Sequence, residues 1–225
     1  MWGEIALVLG AYLLGSAPHL SALGRLRGVK LEGDLHQSLW QKGGRVVGGI
    51  GIVVDLAKGV IPILAGRSLG FNLWAVVIAG LAAVVGQMWP VFSRFDGEKG
   101  NSIGLAMSGA LVPMALFIAL IPVVIGAGVR TIPRLLSSRK SVAERLKFGG
   151  PPSLSLPIGM AVGFLVLPLA SWWLKEPFVV TLGFSVLFVL IMLRRLTAGL
   201  KRDLRADSSV GDVLVNRLLY DRSYR

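Results

Sequence analysis

Six apolar stretches of membrane-spanning length constrain the fold of this chain more than any other feature. A helix that crosses a bilayer needs about 20 predominantly apolar residues. The stretches cover residues 5–24, 46–66, 71–92, 102–128, 154–174 and 178–193. Hydrophobic residues make up 54% of the chain before its 29 glycines are counted, whereas soluble domains reach about 45–50% with glycine included. The sequence therefore predicts an all-α, polytopic membrane protein.

The fourth stretch, residues 102–128, is long for a single span and contains Pro113. If it crossed once, the basic segment 130–150 would fall outside. If it turns back near the proline as two short helices, 21 of the 24 basic residues lie on one side, as the positive-inside rule requires. We therefore predict about seven membrane segments, with the N-terminus outside and the C-terminus inside. The first half of the broken stretch would be about 16 Å long, too short to span alone.

Composition also excludes several classes of function. The chain has no cysteine, so disulfides, thiolate metal sites and a cysteine nucleophile are ruled out. Its two histidines, His19 and His36, are too few for a usual zinc site. Dinucleotide and Walker motifs are missing, so we expect neither a metal nor a cofactor. Positive-inside placement accounts for the net charge of +12, so nucleic acid is not expected as a partner.

The chain divides into a membrane domain, residues 1–200, and a basic cytoplasmic tail, residues 201–225. Apolar residues recur in the tail with partial helical periodicity, which predicts a helix there. The basic run 137–147 is expected at the inner membrane surface, against anionic lipid headgroups. Membrane lipids are therefore predicted partners.

A charged loop, residues 96–102, separates the third and fourth apolar stretches and carries Lys99 between Gly97 and Gly100. The start of a helix offers free backbone N–H groups and a positive dipole end, which favour a small anion. The glycines permit close backbone approach, and Asn101 or Ser102 can cap the following helix. This pattern predicts a phosphate site, although an ordinary turn with a solvated lysine would look similar.

Asp55 and Lys58 lie inside the second apolar stretch. Their i, i+3 spacing puts them on one helix face, where they can pair. Charges in a membrane segment usually face a partner or a polar cavity. The pair is thus either a buried structural ion pair or a positive charge directed into a polar cleft.

Four further polar residues are candidates for substrate binding. Gln87 lies close in sequence to the Lys99 loop, but it could equally form an interhelical hydrogen bond. Arg194 and Arg195 end the last apolar stretch, where they could anchor the helix or bind phosphate bidentately. Ser153 follows two glycines and two prolines, and helix capping is its minimal role.

The first polar loop contains Asp34, His36 and Ser38. These residue types suggest a catalytic triad, but two-residue spacing in a loop does not establish triad geometry. We predict Lys99 and Ser38 as catalytic residues. The predicted substrate-binding residues are Gly97, Gly100, Asn101, Lys58, Asp55, Lys42, Arg45, Gln87, Ser153, Arg194 and Arg195.

Several of these motifs together resemble the acyl-phosphate-dependent glycerol-3-phosphate acyltransferases, the PlsY family. The matching pieces are Ala11-Tyr12-Leu13-Leu14-Gly15-Ser16, Asp55-Leu56-Ala57-Lys58-Gly59, Gly86-Gln87-Met88-Trp89-Pro90-Val91-Phe92 and Gly97-Glu98-Lys99-Gly100. Their order and spacing fit from about Ala11 to Gly109. The match is looser at Ser153 and at Arg194-Arg195.

The resemblance implies a seven-span fold and transfer of an acyl group from acyl phosphate to glycerol 3-phosphate, without a metal. It implies a bacterial inner-membrane protein whose active site faces the cytoplasm, with the enzyme that makes acyl phosphate as a further partner. By the same resemblance, Lys99 and its glycines hold phosphate. Lys42 or Arg45, Ser153 and Arg195 would lie near the acceptor.

The chain departs from the family pattern at several positions. The first-loop signature Gly-Ser-Gly-Asn-x-Gly-x-Thr-Asn is missing, and residues 34–42 stand in its place. The family's Gly-His-x-x-Pro has Gln87 for its histidine, Gly-Gly-Lys-Gly has Glu98 for its second glycine, and Arg-His-x-x-Asn has Arg195 for its histidine and Ala198 for its asparagine.

These departures leave three alternatives open. His36, Gln37, Ser38 and Gln87 could form a modified site for another acceptor. The chain could also be a non-catalytic relative that binds phosphorylated lipid. A third possibility is a small anion transporter with Lys58 and Lys99 along its path.

Overall fold

The computed structural model describes residues 1–136, 154–200, 203–204 and 209–221, which are helical with short connections and contain no β-strand. This confirms the predicted all-α class. The helices are α1 (Trp2–Ser16), α2 (His19–Leu26), α3 (Leu35–Ser38), α4 (Arg45–Ser68), α5 (Leu73–Met88), α6 (Asn101–Leu111), α7 (Pro113–Leu136), α8 (Ser155–Trp173), α9 (Phe178–Thr197) and α10 (Val210–Tyr220). A π-helical turn, Leu39–Gly43, follows α3, and a 3₁₀ turn, Val91–Ser93, follows α5.

Six helical segments are long and apolar enough to cross a membrane, by length and composition. They are Trp2–Leu26, Arg45–Ser68, Leu73–Ser93, Pro113–Pro133, Ser155–Trp173 and Phe178–Thr197. Each overlaps one of the apolar stretches of the sequence, which confirms a polytopic membrane protein. The count of seven segments and their orientation stay predictions.

The first apolar stretch is two helices rather than one, because Pro18 interrupts it. Proline has no N–H group and forces the preceding residue out of the helical region, and Ala17 is accordingly extended, with φ −60° and ψ 123°. The His19 N–H therefore bonds to the carbonyl of Ala17 at 2.9 Å, instead of to that of Gly15 as a continuous helix would require. The break leaves the Gly15 carbonyl without its intrahelical donor.

The fourth apolar stretch is broken where the sequence predicted. Helix α6 ends at Leu111, Val112 is extended with φ −142° and ψ 89°, and α7 begins at Pro113. Helix α6 has 11 residues, so it is too short to span alone. Helix α7 has 24 residues, so the prediction of a short second helix was wrong. Its internal prolines, Pro122 and Pro133, do not stop it.

The helices form two compact units, Met1–Pro113 with Pro177–Gly183 and Met114–Glu176 with Phe184–Arg225. In the first unit, α1 packs against α5, and α4 packs against α5 and α6. A side chain at Gly15 would put its Cβ 2.0 Å from the carbonyl oxygen of Ala83, and one at Gly86 would lie 2.2 Å from that of Tyr12. Glycine at both positions therefore lets the α1 and α5 backbones touch, as in many membrane helix pairs.

In the second unit, α7 and α8 approach closely, and the Ser155 hydroxyl donates to the Gly126 carbonyl at 2.8 Å. Helix α10 packs against α8, with Val213 fully buried and the Ser209 side chain capping its first turn. The predicted tail helix is thus present at Val210–Tyr220. Its cytoplasmic location stays a prediction, and the basic run 137–147 lies outside the described residues.

Candidate functional site

The first unit buries a carboxylate, Asp55 of α4, at the centre of a polar cluster. Asp55 is fully buried, and its Oδ2 accepts from His36 Nε2 at 2.8 Å and from Gln87 Nε2 at 2.8 Å. Its Oδ1 lies 3.3 Å from His19 Nε2 and 3.9 Å from Lys58 Nζ. The predicted Asp55–Lys58 pair is confirmed. Buried charges require such partners, so this carboxylate organises side chains from four segments.

Lys58 connects this cluster to the break in the first apolar stretch. Its ammonium group donates to the carbonyls of Gly15 and Ala17 at 3.3 and 2.7 Å and to His19 Nδ1 at 2.8 Å. An ammonium group has three donors and no acceptor, so protein atoms satisfy all of them. Lys58 thus holds the end of α1 in this structure, and its predicted role in phosphate binding stays a prediction.

The same contact fixes the protonation of His19. Because Lys58 can only donate, His19 Nδ1 must accept, and Nε2 then carries the proton. That nitrogen faces the Gly51 carbonyl at 3.1 Å and the Asp55 carboxylate at 3.3 Å. His19 is therefore neutral and serves to link Lys58 with Asp55.

His36 lies between two carboxylates. Its Nε2 is 2.8 Å from Asp55 Oδ2 and 3.3 Å from Glu98 Oε2. Burial opposes the charged ring, but hydrogen bonds to Asp55 and Glu98, with the charges of both, outweigh it and raise the pKa of His36 to about 10. The raised pKa favours the charged ring, whose Nδ1 is buried without a partner among the described residues.

The trio of His36, Asp55 and Glu98 also has spacing that would suit a metal ion, since one ligand atom of each lies within 4.8 Å of the others. Imidazole nitrogen and carboxylate oxygen are donors that divalent transition-metal ions accept. A proton and a metal ion would compete for the same ring nitrogen.

A polar cavity of about 70 Å³ borders this cluster. Its walls come from the α1–α2 break, from α4 and α5, and from the loop that precedes α6. The polar or charged residues that line it are Ser16, His19, Ser21, Lys58, Gln87, Ser93, Asp96 and Glu98. Donors and acceptors of both charge signs thus meet around one small concave space beside the cluster.

The predicted phosphate loop runs along this cavity. Gly97 lies against α5: an added Cβ would come within 2.1 Å of the Gln87 carbonyl oxygen and 2.4 Å of the Pro90 ring. The Glu98 N–H donates to that same carbonyl at 3.0 Å, so the loop is held to the end of α5. Lys99, half-buried, follows the lining residue Glu98 and precedes the start of α6.

Capping of α6 differs from the prediction. Neither Asn101 nor Ser102 is the N-cap, because Gly100 takes that position with φ 75°, and no side chain makes a capping hydrogen bond. Only glycine adopts such a dihedral without strain. The Asn101 Oδ1 atom is buried without a hydrogen-bond partner, and the first N–H groups of α6 have no partner within the helix.

The first-loop candidates Ser38 and Lys42 contact the loop itself rather than Asp55. Ser38 is buried and its hydroxyl accepts from the Glu32 N–H at 3.2 Å. The Lys42 ammonium donates to the Lys30 carbonyl at 3.1 Å, and Arg45 is exposed at the start of α4. Because His36 faces Asp55 and Glu98, the loop does not form a triad through Ser38, and the catalytic role of Ser38 stays a prediction.

The remaining candidates belong to the second unit. Arg194 and Arg195 are both buried, and Arg195 Nη1 donates to the carbonyls of Pro157 and Leu218 at 3.1 and 3.3 Å. Arg195 therefore joins α8 and α10, and its Nε has no partner among the described residues. Ser153 lies outside the described residues, and substrate contacts of all three stay predictions.

Sequence reasoning missed His19 and the contact between His36 and Glu98. His19 had a usable signal, since it is the single histidine within an apolar stretch, and ionisable groups there usually have a functional or structural partner. The contact between His36 and Glu98 joins residues 62 positions apart in the sequence, and no local periodicity could predict it.

The raised pKa of His36 predicts a pH-dependent stability. Its ordinary value is 6.5 and its folded value about 10, so the folded state binds this proton more tightly than the unfolded state. The contribution of this proton to the free energy of unfolding is complete below about pH 6.5 and disappears as pH rises through 10. We expect the thermal unfolding midpoint in detergent to decrease as pH rises from 7 to 10. The variant His36→Gln should show a smaller decrease. An equal slope in both proteins would contradict this prediction. The other titratable groups that face the cluster are Asp55, Glu98, Lys58 and His19.

Taken together, the fold and the site define a helical membrane protein that gathers a buried charged cluster beside a glycine-lysine loop. The sequence matches the family model described as glycerol-3-phosphate acyltransferase over residues 5–205. This chain belongs to the glycerol-3-phosphate acyltransferase family, which confirms the resemblance drawn from its motifs.

Individual relatives agree. A glycerol-3-phosphate acyltransferase of Klebsiella pneumoniae subsp. pneumoniae is 30% identical, with 84% of this chain and 82% of that protein aligned. Glycerol-3-phosphate acyltransferase 4 of Dehalococcoides mccartyi is 28% identical over 98% of this chain and 90% of its own length. A Rubrobacter xylanophilus relative is 39% identical, but the alignment covers 49% of this chain and 58% of that protein.

Two solved structures share the fold. They are crystal structures of PlsY (YgiH), an integral membrane glycerol 3-phosphate acyltransferase, in a lysophosphatidic acid form and a glycerol 3-phosphate form. Each aligns with a TM-score of 0.68 at 23% identity, covering 92% of this chain and 94% of the other. This likeness supports the helical membrane fold.

Proposed function

We propose that this chain transfers a fatty acyl group from an acyl phosphate to the 1-hydroxyl of glycerol 3-phosphate, giving lysophosphatidic acid for phospholipid biosynthesis. The observation that carries the proposal is the family match over residues 5–205, which spans both the charged cluster and the Lys99 loop. The family assignment favours this reaction over the anion transporter considered from the sequence.

In this reaction the glycerol oxygen attacks the acyl carbonyl carbon and forms the new ester bond. The bond between that carbon and the phosphate oxygen breaks, and inorganic phosphate leaves with the electron pair. The hydroxyl proton passes to a phosphate oxygen of a substrate, so the step balances without a protein base or a resident metal. Positioning of the two substrates and stabilisation of phosphate charge would then supply most of the rate.

The groups proposed to hold phosphate lie at the start of α6. The N–H groups of its first turn and the ammonium group of Lys99 can both face an anion. The side chain of Asn101, with its unpartnered buried oxygen, could accept a hydrogen bond from a substrate hydroxyl. Lys42 or Arg45 is proposed as a second cation near the acceptor, with Ser153 and Arg195 as further candidates.

We further propose that the chain is in a bacterial inner membrane, with this site facing the cytoplasm. The clustering of basic residues in the segments between spans supports that orientation. A cytoplasmic site has direct access to glycerol 3-phosphate, a soluble anion, while the acyl chain of the donor stays in the bilayer. An enzyme that produces acyl phosphate is the proposed partner.

The deciding experiment measures phosphate release by purified protein given palmitoyl phosphate, with and without glycerol 3-phosphate. We expect release that depends on the acceptor, together with lysophosphatidic acid as product. Folding is verified on the same sample by thermal unfolding. No release by a folded sample would overturn the proposal, and a screen of other polar acceptors would then separate an altered acceptor from a non-catalytic relative.

A further inference from the structure

The loop that is proposed to bind phosphate carries a negative charge next to its lysine. Glu98 directly precedes Lys99 and lines the cavity. A carboxylate facing a bound phosphate would repel it, and that repulsion is strong where water is excluded. The position of the Glu98 side chain therefore affects any anion bound at the start of α6.

The backbone of Glu98 is fixed, so a shift of the loop cannot move the carboxylate away from the start of α6. Its N–H is tied to the Gln87 carbonyl at 3.0 Å, and Gly97 is packed against the same carbonyl and Pro90. The loop is thus fixed on the end of α5, and the direction of the carboxylate depends on the partner of its side chain.

One partner of the Glu98 side chain is His36. Its Nε2 is 3.3 Å from Glu98 Oε2 while it donates to Asp55 Oδ2 at 2.8 Å. One ring nitrogen thus lies between the two carboxylates and draws them to the same place.

We propose that His36 is a positioning residue, which holds the Glu98 carboxylate against Asp55 and so keeps its charge off a phosphate bound at the Lys99 loop. This inference rests on the proposed function. His36 acts through Glu98 and needs no contact with substrate. The high pKa of the ring is consistent with this role, since a neutral histidine would hold the carboxylate less firmly.

A double-mutant cycle tests the inference, because only a coupled pair gives non-additive effects. Wild type, His36→Gln, Glu98→Gln and the double variant are compared for KM and kcat with glycerol 3-phosphate. We expect His36→Gln to raise KM by about 10-fold and the double variant to return KM to within about threefold of wild type. Lys30→Gln is the matched control, since it removes one exposed charge from the same loop.

Two further measurements keep the test decisive if His36→Gln folds poorly. His36→Lys retains a cation, so it should preserve most of the phosphate affinity. NMR of protein labelled in its two histidines should show the His36 ring resonances, but not those of His19, shifting in Glu98→Gln. An unchanged His36 ring in Glu98→Gln would overturn the proposal.

Two further results would overturn the proposal, and a third would refute the proposed function alone. A double variant as weak as His36→Gln or weaker would show that the ring supports the fold or touches substrate, which overturns the proposal. Stoichiometric Mn²⁺ binding that His36→Gln abolishes would also overturn it, because the ring would then be a metal ligand. A wild type without acyl transfer refutes the proposed function alone, and titration of the four proteins with glycerol 3-phosphate then tests the pairing independently.

Discussion

Replacing Lys99 by alanine is expected to reduce acyl transfer by about 10²–10³-fold, the usual cost of losing one group that stabilises transition-state charge. The lysine lies at the start of α6, where N–H groups and the helix dipole already favour an anion. Because its side chain is half-buried, the variant should fold nearly as well as wild type. Phosphate release from palmitoyl phosphate measures the first effect, and thermal unfolding in detergent measures the second.

The exposed Lys30 provides the control for this prediction. Its side chain is 87% exposed, so Lys30→Ala removes an equal charge away from the site and should leave the rate near that of wild type. If Lys99→Ala transfers acyl groups at the wild-type rate, the loop does not hold phosphate. The catalytic role predicted for Lys99 would then be wrong.

Asp55→Asn is expected to have the largest effect on stability. Removing one member of a buried charged network typically costs about 3–5 kcal/mol, because the remaining charges stay buried without a partner. Here Lys58 would lose its carboxylate, and His36 would keep only Glu98. We expect a markedly lower thermal midpoint and no measurable acyl transfer.

The matched control is Asp212→Asn, at an exposed position in α10. Both substitutions remove one carboxylate, so differences between them report burial rather than net charge. An Asp55→Asn protein as stable as wild type would mean that the cluster tolerates an uncompensated cation. The assignment of Asp55 as its centre would then fail.

The sequence predicts the fold well because hydrophobicity alone determines membrane helices. The six apolar stretches and the break before Pro113 follow from composition and from the geometry of proline. The break at Pro18 was accessible to the same reasoning but was not predicted, because the whole stretch was taken as one span. The length of α7 was misjudged because the apolar stretch was ended at residue 128, whereas the helix continues through the following polar residues to Leu136.

The site was harder to predict, because its geometry depends on contacts between distant segments. Asp55, Lys58 and Gln87 stand out as polar residues in apolar surroundings, and they do meet. The break at Pro18 makes the carbonyl groups at the end of α1 available to Lys58. The sequence alone did not show this break, so it did not show that Lys58 binds there.

Departures from the family motifs converge in the structure. His36 lies in the replaced first loop, Gln87 stands where the family pattern has a histidine, and Glu98 stands where it has a glycine. His36 and Gln87 both donate to Asp55, and His36 also pairs with Glu98. Replacements of family-motif residues that look unrelated in the sequence thus contact one another in the structure.

The contact between Lys58 and the broken end of α1 bears on how the protein is made. Helix α4 enters the bilayer carrying an aspartate and a lysine, each of which opposes insertion by about 2.5–3.5 kcal/mol at the centre of a helix. The carbonyls of Gly15 and Ala17 that accept from Lys58 belong to a segment synthesised earlier. We expect these carbonyls to give the charged helix a docking point, so that the proline break in the first apolar stretch assists the insertion of α4.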